Sequence, residues 1–154
     1  MIEITRSRTI AASASAIFAL LAEPANLAGM LPRVRKVDIL SRGDNQARIA
    51  THMAFGPFGT IRNEGEARWE TDREVTFVSR SPVLVETRWT LIPDGAATCV
   101  QAQIRLDLAP LIGPLAAFVP SKQVITMVAP ELDAALDAIA RKLQQEPGVG
   151  SHEL

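Results

Sequence analysis

This chain of 154 residues has few side chains of the kind that perform acid–base or covalent chemistry. It contains two histidines, one cysteine and no tyrosine. His52 is the only histidine outside the C-terminal tail, and a histidine can act as a general base near neutral pH. Charged and apolar residues alternate around it, which places His52 on the same strand face as Arg48, the face toward solvent. We therefore predict no catalytic residue.

Cys99 is the second reactive candidate. Alternation places it on the face of Gln101, and this favours a structural thiol, because a nucleophilic cysteine needs an activating cation or a helix terminus. Two histidines and one cysteine cannot form a metal site without carboxylates at unrelated spacings. We predict no metal and no cofactor.

Three polar residues are predicted to point inward among apolar ones, namely Thr51, Asn63 and Thr87. A buried hydroxyl or amide without a partner costs on the order of 1 to 3 kcal/mol, so these groups must bond to each other, to water or to the polar end of a ligand. Ligand binding and local satisfaction by backbone or water are equally compatible with the pattern. The apolar residues predicted to complete a ligand-binding lining are Met53, Trp69, Phe77, Trp89, Ile104, Met127 and Val128. The two tryptophans equally suit core packing.

A series of strands must position these residues. A first strand at 2–10 is followed by two short helices, one capped by Ser13 and ended by Pro24, the other from Ala25 to about Met30. From Val34 onward, period-two alternation and short turns predict antiparallel strands. Charged residues occupy every second position of several strands: Arg62, Glu64, Glu66, Arg68, Glu70, Glu86, Arg88, Arg105 and Asp107. They indicate cross-strand ion pairs on a solvated face, and the alternative is an interaction surface.

A helical period returns at Ser121 and continues to Gln145, with an apolar stripe on one side. Pro130 should kink this helix or split it in two. We expect residues 1–145 to form a single domain and residues 146–154 to form a disordered C-terminal tail.

The opening of the chain is similar to that of a known superfamily. The similarity lies in Ile10–Ser13, Ile17–Leu21, Ala22–Leu27 and Leu31–Val37. With the order of elements, these segments resemble the helix-grip fold of the START and Bet v 1-like (SRPBCC) superfamily, in particular its polyketide cyclase/dehydrase and lipid-transport branch. The resemblance implies an α+β fold in which a seven-stranded curved antiparallel sheet wraps around a long C-terminal helix. It also implies two short helices after strand 1 and a ligand cavity between sheet and helix.

Composition limits the choice of partners. Sixteen basic and seventeen acidic residues give a net charge of −1, which favours neither nucleic acid nor an anionic membrane surface. The apolar segment 110–120 is too short and too interrupted by proline to span a bilayer, so we expect no integral membrane segment. Charged residues interrupt the first apolar positions, and without a secretory signal the expected location is cytoplasmic.

These observations predict the binding, with transport as an extension, of a hydrophobic small molecule, lipid or polyketide-like, in an internal cavity. The resemblance implies an alternative, a polyketide cyclase or dehydratase that acts on a ligand held in the same cavity. A protein-interaction module is a third class. The apolar loops at 55–58 and 111–115 suit a gate for ligand entry, and equally suit packing on helix ends or a homodimer contact.

Overall fold

The computed structural model describes residues 2–31, 33–54, 59–81, 84–107, 113 and 121–152. The two loops expected to gate the cavity, 55–58 and 111–115, lie outside these residues apart from Gly113.

Seven strands, three α-helices and a 3-10 helix make up the secondary structure of the described residues, in agreement with the predicted fold. In chain order they are β1 (Ile2–Ile10), α1 (Ala14–Leu21), a 3-10 helix (Pro24–Asn26), α2 (Leu27–Met30), β2 (Val34–Arg42), β3 (Gln46–Ala54), β4 (Thr60–Glu70), β5 (Glu74–Ser81), β6 (Leu84–Asp94), β7 (Ala97–Asp107) and α3 (Ser121–His152).

The strands form one curved antiparallel sheet in the order β1-β7-β6-β5-β4-β3-β2. From β2 to β7 each strand pairs with the next one along the chain, as short turns require. The turn after β6 contains Gly95 at φ 66°, a left-handed conformation that glycine adopts without a steric penalty. The one non-local pairing joins β1 to β7, where Ile4 lies opposite Ile104. It leaves β1 and β2 as the two edges of the sheet.

The short helices after β1 begin and end where their residues allow. Ser13 caps α1, its Oγ accepting a hydrogen bond from the Ala16 amide at 3.1 Å. The predicted second helical segment is divided into a 3-10 turn and α2. Glu23 caps the 3-10 turn and also forms an ion pair with Arg42 at 2.9 Å, which ties these helices to the end of β2. The side-chain hydrogen bond from Arg42 lowers the pKa of Glu23.

Helix α3 runs through Pro130 without being split. Its predicted apolar stripe is confirmed by burial of Val124, Val128, Leu132, Leu136 and Ile139. These side chains join α1 and the β6–β7 part of the sheet in the main hydrophobic core. The helix includes residues 146–152, for which the sequence predicts a disordered tail, so the domain boundary at residue 145 stays a prediction.

None of the helices in the described part of the chain is both long enough and apolar enough to cross a membrane.

Candidate ligand-binding site

Two polar side chains face each other on the concave side of the sheet. Thr51 on β3 pairs directly with Asn63 on β4, so both side chains emerge on the same face. Thr51 is 1% exposed and Asn63 is 0% exposed. The inward orientation expected from alternation is therefore confirmed for both residues. We call Thr51 and Asn63 the polar pair.

The polar pair has unused hydrogen-bonding capacity. Thr51 Oγ1 and Asn63 Oδ1 are buried and have no hydrogen-bond partner among the described residues. Among the described residues, the one side-chain hydrogen-bond partner of the Asn63 amide nitrogen is the sulfur of Met53, at 3.6 Å. A buried oxygen without a partner is destabilising, so a further hydrogen-bonding group placed at the polar pair would stabilise the protein.

Two other buried hydroxyls on the sheet, those of Ser79 and Thr98, are satisfied by the backbone. Ser79 donates to the Glu64 carbonyl at 3.0 Å, and Thr98 donates to the Ala12 carbonyl at 2.8 Å. Both side chains are 0% exposed, as deeply buried as Asn63. Thr51 and Asn63 therefore differ from Ser79 and Thr98 in having an oxygen without a hydrogen-bond partner among the described residues, and they do not differ in burial.

A second group of predicted lining residues surrounds a small pocket of about 30 Å³. Trp69, Phe77, Thr87 and Trp89 line it together with Leu21, Ala22, Pro24, Leu27, Ala67 and Val75. This volume is enough for about one or two water molecules. A lipid-sized ligand at this position requires the lining side chains to move apart.

The ring of Phe77 lies over Gly65, between the positions of Asn63 and Ala67 along β4. A Cβ atom on Gly65 would lie 3.0 Å from two carbons of this ring and 2.3 Å from the Val78 carbonyl oxygen. The absence of a side chain at Gly65 thus lets the ring pack against the backbone of β4. Phe77 thus contacts the backbone of β4 two residues from Asn63 and also lines the small pocket.

The remaining predicted lining residues lie in different environments. Ile104 is half-buried, packs against the main core and lies opposite Thr87, while Val128 is buried on α3. Met53 is half-buried beside Asn63. Met127 is 54% exposed, because it precedes Val128 and so lies about 100° around the helix from the buried stripe. The structure therefore does not bring Met127 into the buried set.

Sequence reasoning missed an ion pair at the edge of this face. Arg33, just before β2, places its Nε 2.6 Å from Glu131 Oε2 on α3 and donates from Nη1 to the Ala54 carbonyl at 3.2 Å. The two side chains are 28% and 20% exposed. Ninety-eight residues separate them along the chain, so no local pattern indicates the contact.

His52 lies on the outer, solvent-facing side of the sheet. Its Nε2 atom is 2.9 Å from Asp38 Oδ2, and this hydrogen bond is the main reason why the pKa of Asp38 is lowered. Cys99 is half-buried and free. Within the described ranges no cluster of three or more histidine, cysteine, aspartate or glutamate residues could hold a metal ion.

The outer face carries paired charges of both signs. Arg48 and Arg62 both contact Glu64, and Arg105 contacts Glu3 and Glu86 on the two neighbouring strands.

An open groove of about 290 Å³ lies near the turn between β4 and β5. Its lining residues are all polar or charged except Trp69: Asn45, Gln46, Arg68, Trp69, Glu70, Glu74 and Thr76. An apolar ligand has little to bury there.

Comparison with known proteins identifies the family. A family model described as polyketide cyclase / dehydrase and lipid transport matches residues 1–144. No curated protein matches the sequence.

Solved structures share the fold at low sequence identity. Protein TTHA0849 of Thermus thermophilus is 18% identical with a TM-score of 0.79, the match covering 94% of this chain and 98% of that one. A START superfamily protein of Mycobacterium smegmatis is 15% identical with a TM-score of 0.72, covering 93% and 97%. The Zhui aromatase/cyclase of Streptomyces sp. R1128 is 17% identical with a TM-score of 0.70, covering 93% of each chain.

Proposed function

The chain belongs to the polyketide cyclase/dehydrase and lipid transport family, and from this premise we propose that it binds a hydrophobic small molecule, lipid or polyketide-like, between the sheet and helix α3. The proposed ligand-binding residues are those named from the sequence, with the polar pair orienting the ligand. Met127 is the exception, since its exposure leaves it at most at the margin of such a site.

The unpartnered polar pair is the observation that carries this proposal. A core made only for stability has no need of two adjacent buried oxygens without partners, because apolar residues of similar size pack there at lower cost. A ligand whose polar end bonds to Thr51 and Asn63 removes this cost, and burial of its apolar part supplies about 25 cal/mol per Å² before association costs.

A polyketide cyclase or dehydratase is the second candidate, and it is favoured by the aromatase/cyclase among the structural matches. Such chemistry needs a proton donor or acceptor beside the substrate. The buried polar residues of the described chain are Thr51, Asn63, Ser79, Thr87 and Thr98, and none of these ionises near neutral pH. This composition favours binding over acid–base catalysis. We extend the proposal to a cytoplasmic location and to a homodimer.

Titration with Nile red, a neutral apolar dye whose fluorescence rises in apolar surroundings, tests the proposal. We expect saturable binding at one site per chain. Thr51→Phe, which occupies the space in front of the polar pair, should weaken binding by at least about tenfold. His52→Phe introduces the same side chain at the next residue, on the outer face, and should leave binding unchanged.

Native mass spectrometry of protein purified from its own host supplies a second, independent readout, since a retained small molecule would identify the ligand directly. Thermal unfolding of both variants establishes that they fold. Absence of saturable dye binding to the wild-type protein, or equal effects of the two substitutions in folded protein, would contradict the proposed function.

A further inference from the structure

The orientation of the Asn63 amide is fixed by its neighbour. The Met53 sulfur can accept a weak hydrogen bond and cannot donate one, so the amide group that faces it at 3.6 Å is the NH2. The carbonyl oxygen of the same amide is then directed elsewhere, and it is this buried atom that has no partner in the described chain. Asn63 therefore presents an unpaired acceptor, while one of its two N–H donors faces the Met53 sulfur.

Thr51 adds a hydroxyl beside this acceptor. The direct cross-strand pairing brings the two Cβ atoms to about 4.5 to 5.5 Å from each other. Thr51 Oγ1 can donate or accept, whereas Asn63 Oδ1 can only accept. A single ligand group that donates to Asn63 and accepts from Thr51 satisfies both atoms, and a hydroxyl group does this with its one hydrogen and its lone pairs.

Among the described residues, the charged side chains nearest to the polar pair in sequence or at the edge of its face already have partners. Arg62 and Glu64, the residues on either side of Asn63, are on the outer face and pair with each other at 2.6 Å. The Arg33 guanidinium already contacts Glu131 and the Ala54 carbonyl. A carboxylate placed at the polar pair would face the Asn63 oxygen without a cation, and a desolvated charge without a partner is strongly disfavoured. A protonated amine would lack a counter-anion in the same way.

We propose that the polar pair selects a neutral apolar ligand that carries a hydrogen-bond donor, a hydroxyl or an amide N–H, and discriminates against ethers and carboxylates of the same shape. This inference rests on the proposed binding function and adds the chemical class of the ligand. An ether or a ketone can accept from Thr51 but leaves the Asn63 oxygen unpaired. A carboxylate adds an uncompensated charge to that oxygen.

Displacement of bound Nile red by three probes with one aromatic frame tests this selectivity. The probes are 2-naphthol, 2-methoxynaphthalene and 2-naphthoate at pH 7. We expect 2-naphthol to compete about tenfold more strongly than either of the other two, the ratio typical of one hydrogen bond to a buried group that is otherwise unpaired. In the variant Thr51→Val/Asn63→Leu the ratio of 2-naphthol to 2-methoxynaphthalene should fall to about one, whereas 2-naphthoate should stay weak because its charge is desolvated without a partner there as well.

Thr98→Val is the matched control, because it removes a hydroxyl that is equally buried but already bonded to the backbone. It should keep the tenfold ratio. If the stability cost of this control prevents folding, Ser79→Ala serves the same purpose, since the Ser79 hydroxyl is also bonded to the backbone.

The outcomes separate this inference from the function on which it rests. If Nile red does not bind, the proposed function fails and the inference fails with it. If Nile red binds and the three probes compete equally, or none competes, the cavity stands and the selectivity is refuted, as expected where a fixed water satisfies the polar pair. A tenfold preference for 2-naphthol over 2-methoxynaphthalene that persists in the double variant also refutes the assignment to Thr51 and Asn63.

Discussion

At the scale of single residues, Thr51 and Thr98 are both buried hydroxyls, but only Thr98 has a hydrogen-bond partner among the described residues. Thr51, Asn63 and Thr87 are 1%, 0% and 5% exposed, so their predicted inward orientation is confirmed. The sequence does not show that Thr98 has a carbonyl partner 86 residues away while Thr51 has none in the part of the chain that the structure describes. A partner of this kind depends on how a distant loop approaches the strand, and single-sequence patterns do not contain that information. The part of these residues in ligand binding stays a prediction.

This difference in partners predicts opposite stability effects for the same substitution. Thr51→Val removes a buried hydroxyl without a partner, so the free energy of unfolding should stay within about 0.5 kcal/mol or rise by up to about 1 kcal/mol. Thr98→Val removes one partner of a buried hydrogen bond and should lower it by about 1 to 2 kcal/mol. Urea unfolding of the two ligand-free variants measures both effects. Equal losses in the two would indicate that Thr51 has a partner in the unliganded protein, such as a bound water.

At the scale of elements, the strands and the stripe of α3 follow their periodicities, and the exceptions have local causes. Strand β4 shows an even alternation in sequence, yet its register against β5 shifts between Glu64 and Gly65. Such an irregularity bends the strand and depends on packing against its neighbour, so alternation cannot reveal it. Met127 is predicted to line the site because it is apolar, yet it lies on the exposed side of α3. Apolar character alone does not determine which face of a helix a residue occupies.

The packing of Phe77 on β4 makes Gly65 difficult to replace. In Gly65→Ala the new methyl group would approach the Val78 carbonyl oxygen to 2.3 Å, and because that atom belongs to the backbone of β5 the strands must separate. We expect a loss of about 1 to 3 kcal/mol in the free energy of unfolding. Gly43→Ala is the control, since its Cβ would meet only ordinary contacts, the nearest at 3.4 Å. Chemical denaturation compares the two; a loss below about 0.5 kcal/mol for Gly65→Ala would show that β5 adjusts easily.

At the scale of the whole molecule, the order of elements and a resemblance in the first 37 residues were sufficient to predict the helix-grip fold. Short turns determine five of the six strand pairings, because each joins neighbours along the chain. The pairing of β1 with β7 and the position of α3 depend on contacts between the two ends of the chain. Arg6 and Arg8 on β1 approach Asp133 and Asp137 on α3, but these ion pairs are largely exposed. Contacts of this kind leave no periodic signal in the sequence.

The ion pair between Arg33 and Glu131 should contribute most among these charged attachments of α3. Its two side chains are 28% and 20% exposed, whereas Asp133 and its partner Arg6 are 57% and 47% exposed and therefore more strongly screened by water. Arg33 also bonds to the Ala54 carbonyl at the end of β3, so removal of the Glu131 charge leaves a half-buried guanidinium with less compensation.

We therefore expect Glu131→Gln to lower the free energy of unfolding by about 1 to 3 kcal/mol, between the values usual for exposed and for buried pairs. Asp133→Asn makes the same chemical change two residues further along α3 and should cost at most about 0.5 kcal/mol. Urea unfolding of both variants gives these values, and a double-mutant cycle with Arg33→Met isolates the pairwise part. A coupling energy near zero would mean that apolar packing of the buried stripe alone holds α3 against the sheet. A coupling of about 1 kcal/mol or more would make Arg33 and Glu131 the charged link between the terminal helix and the β2–β3 edge.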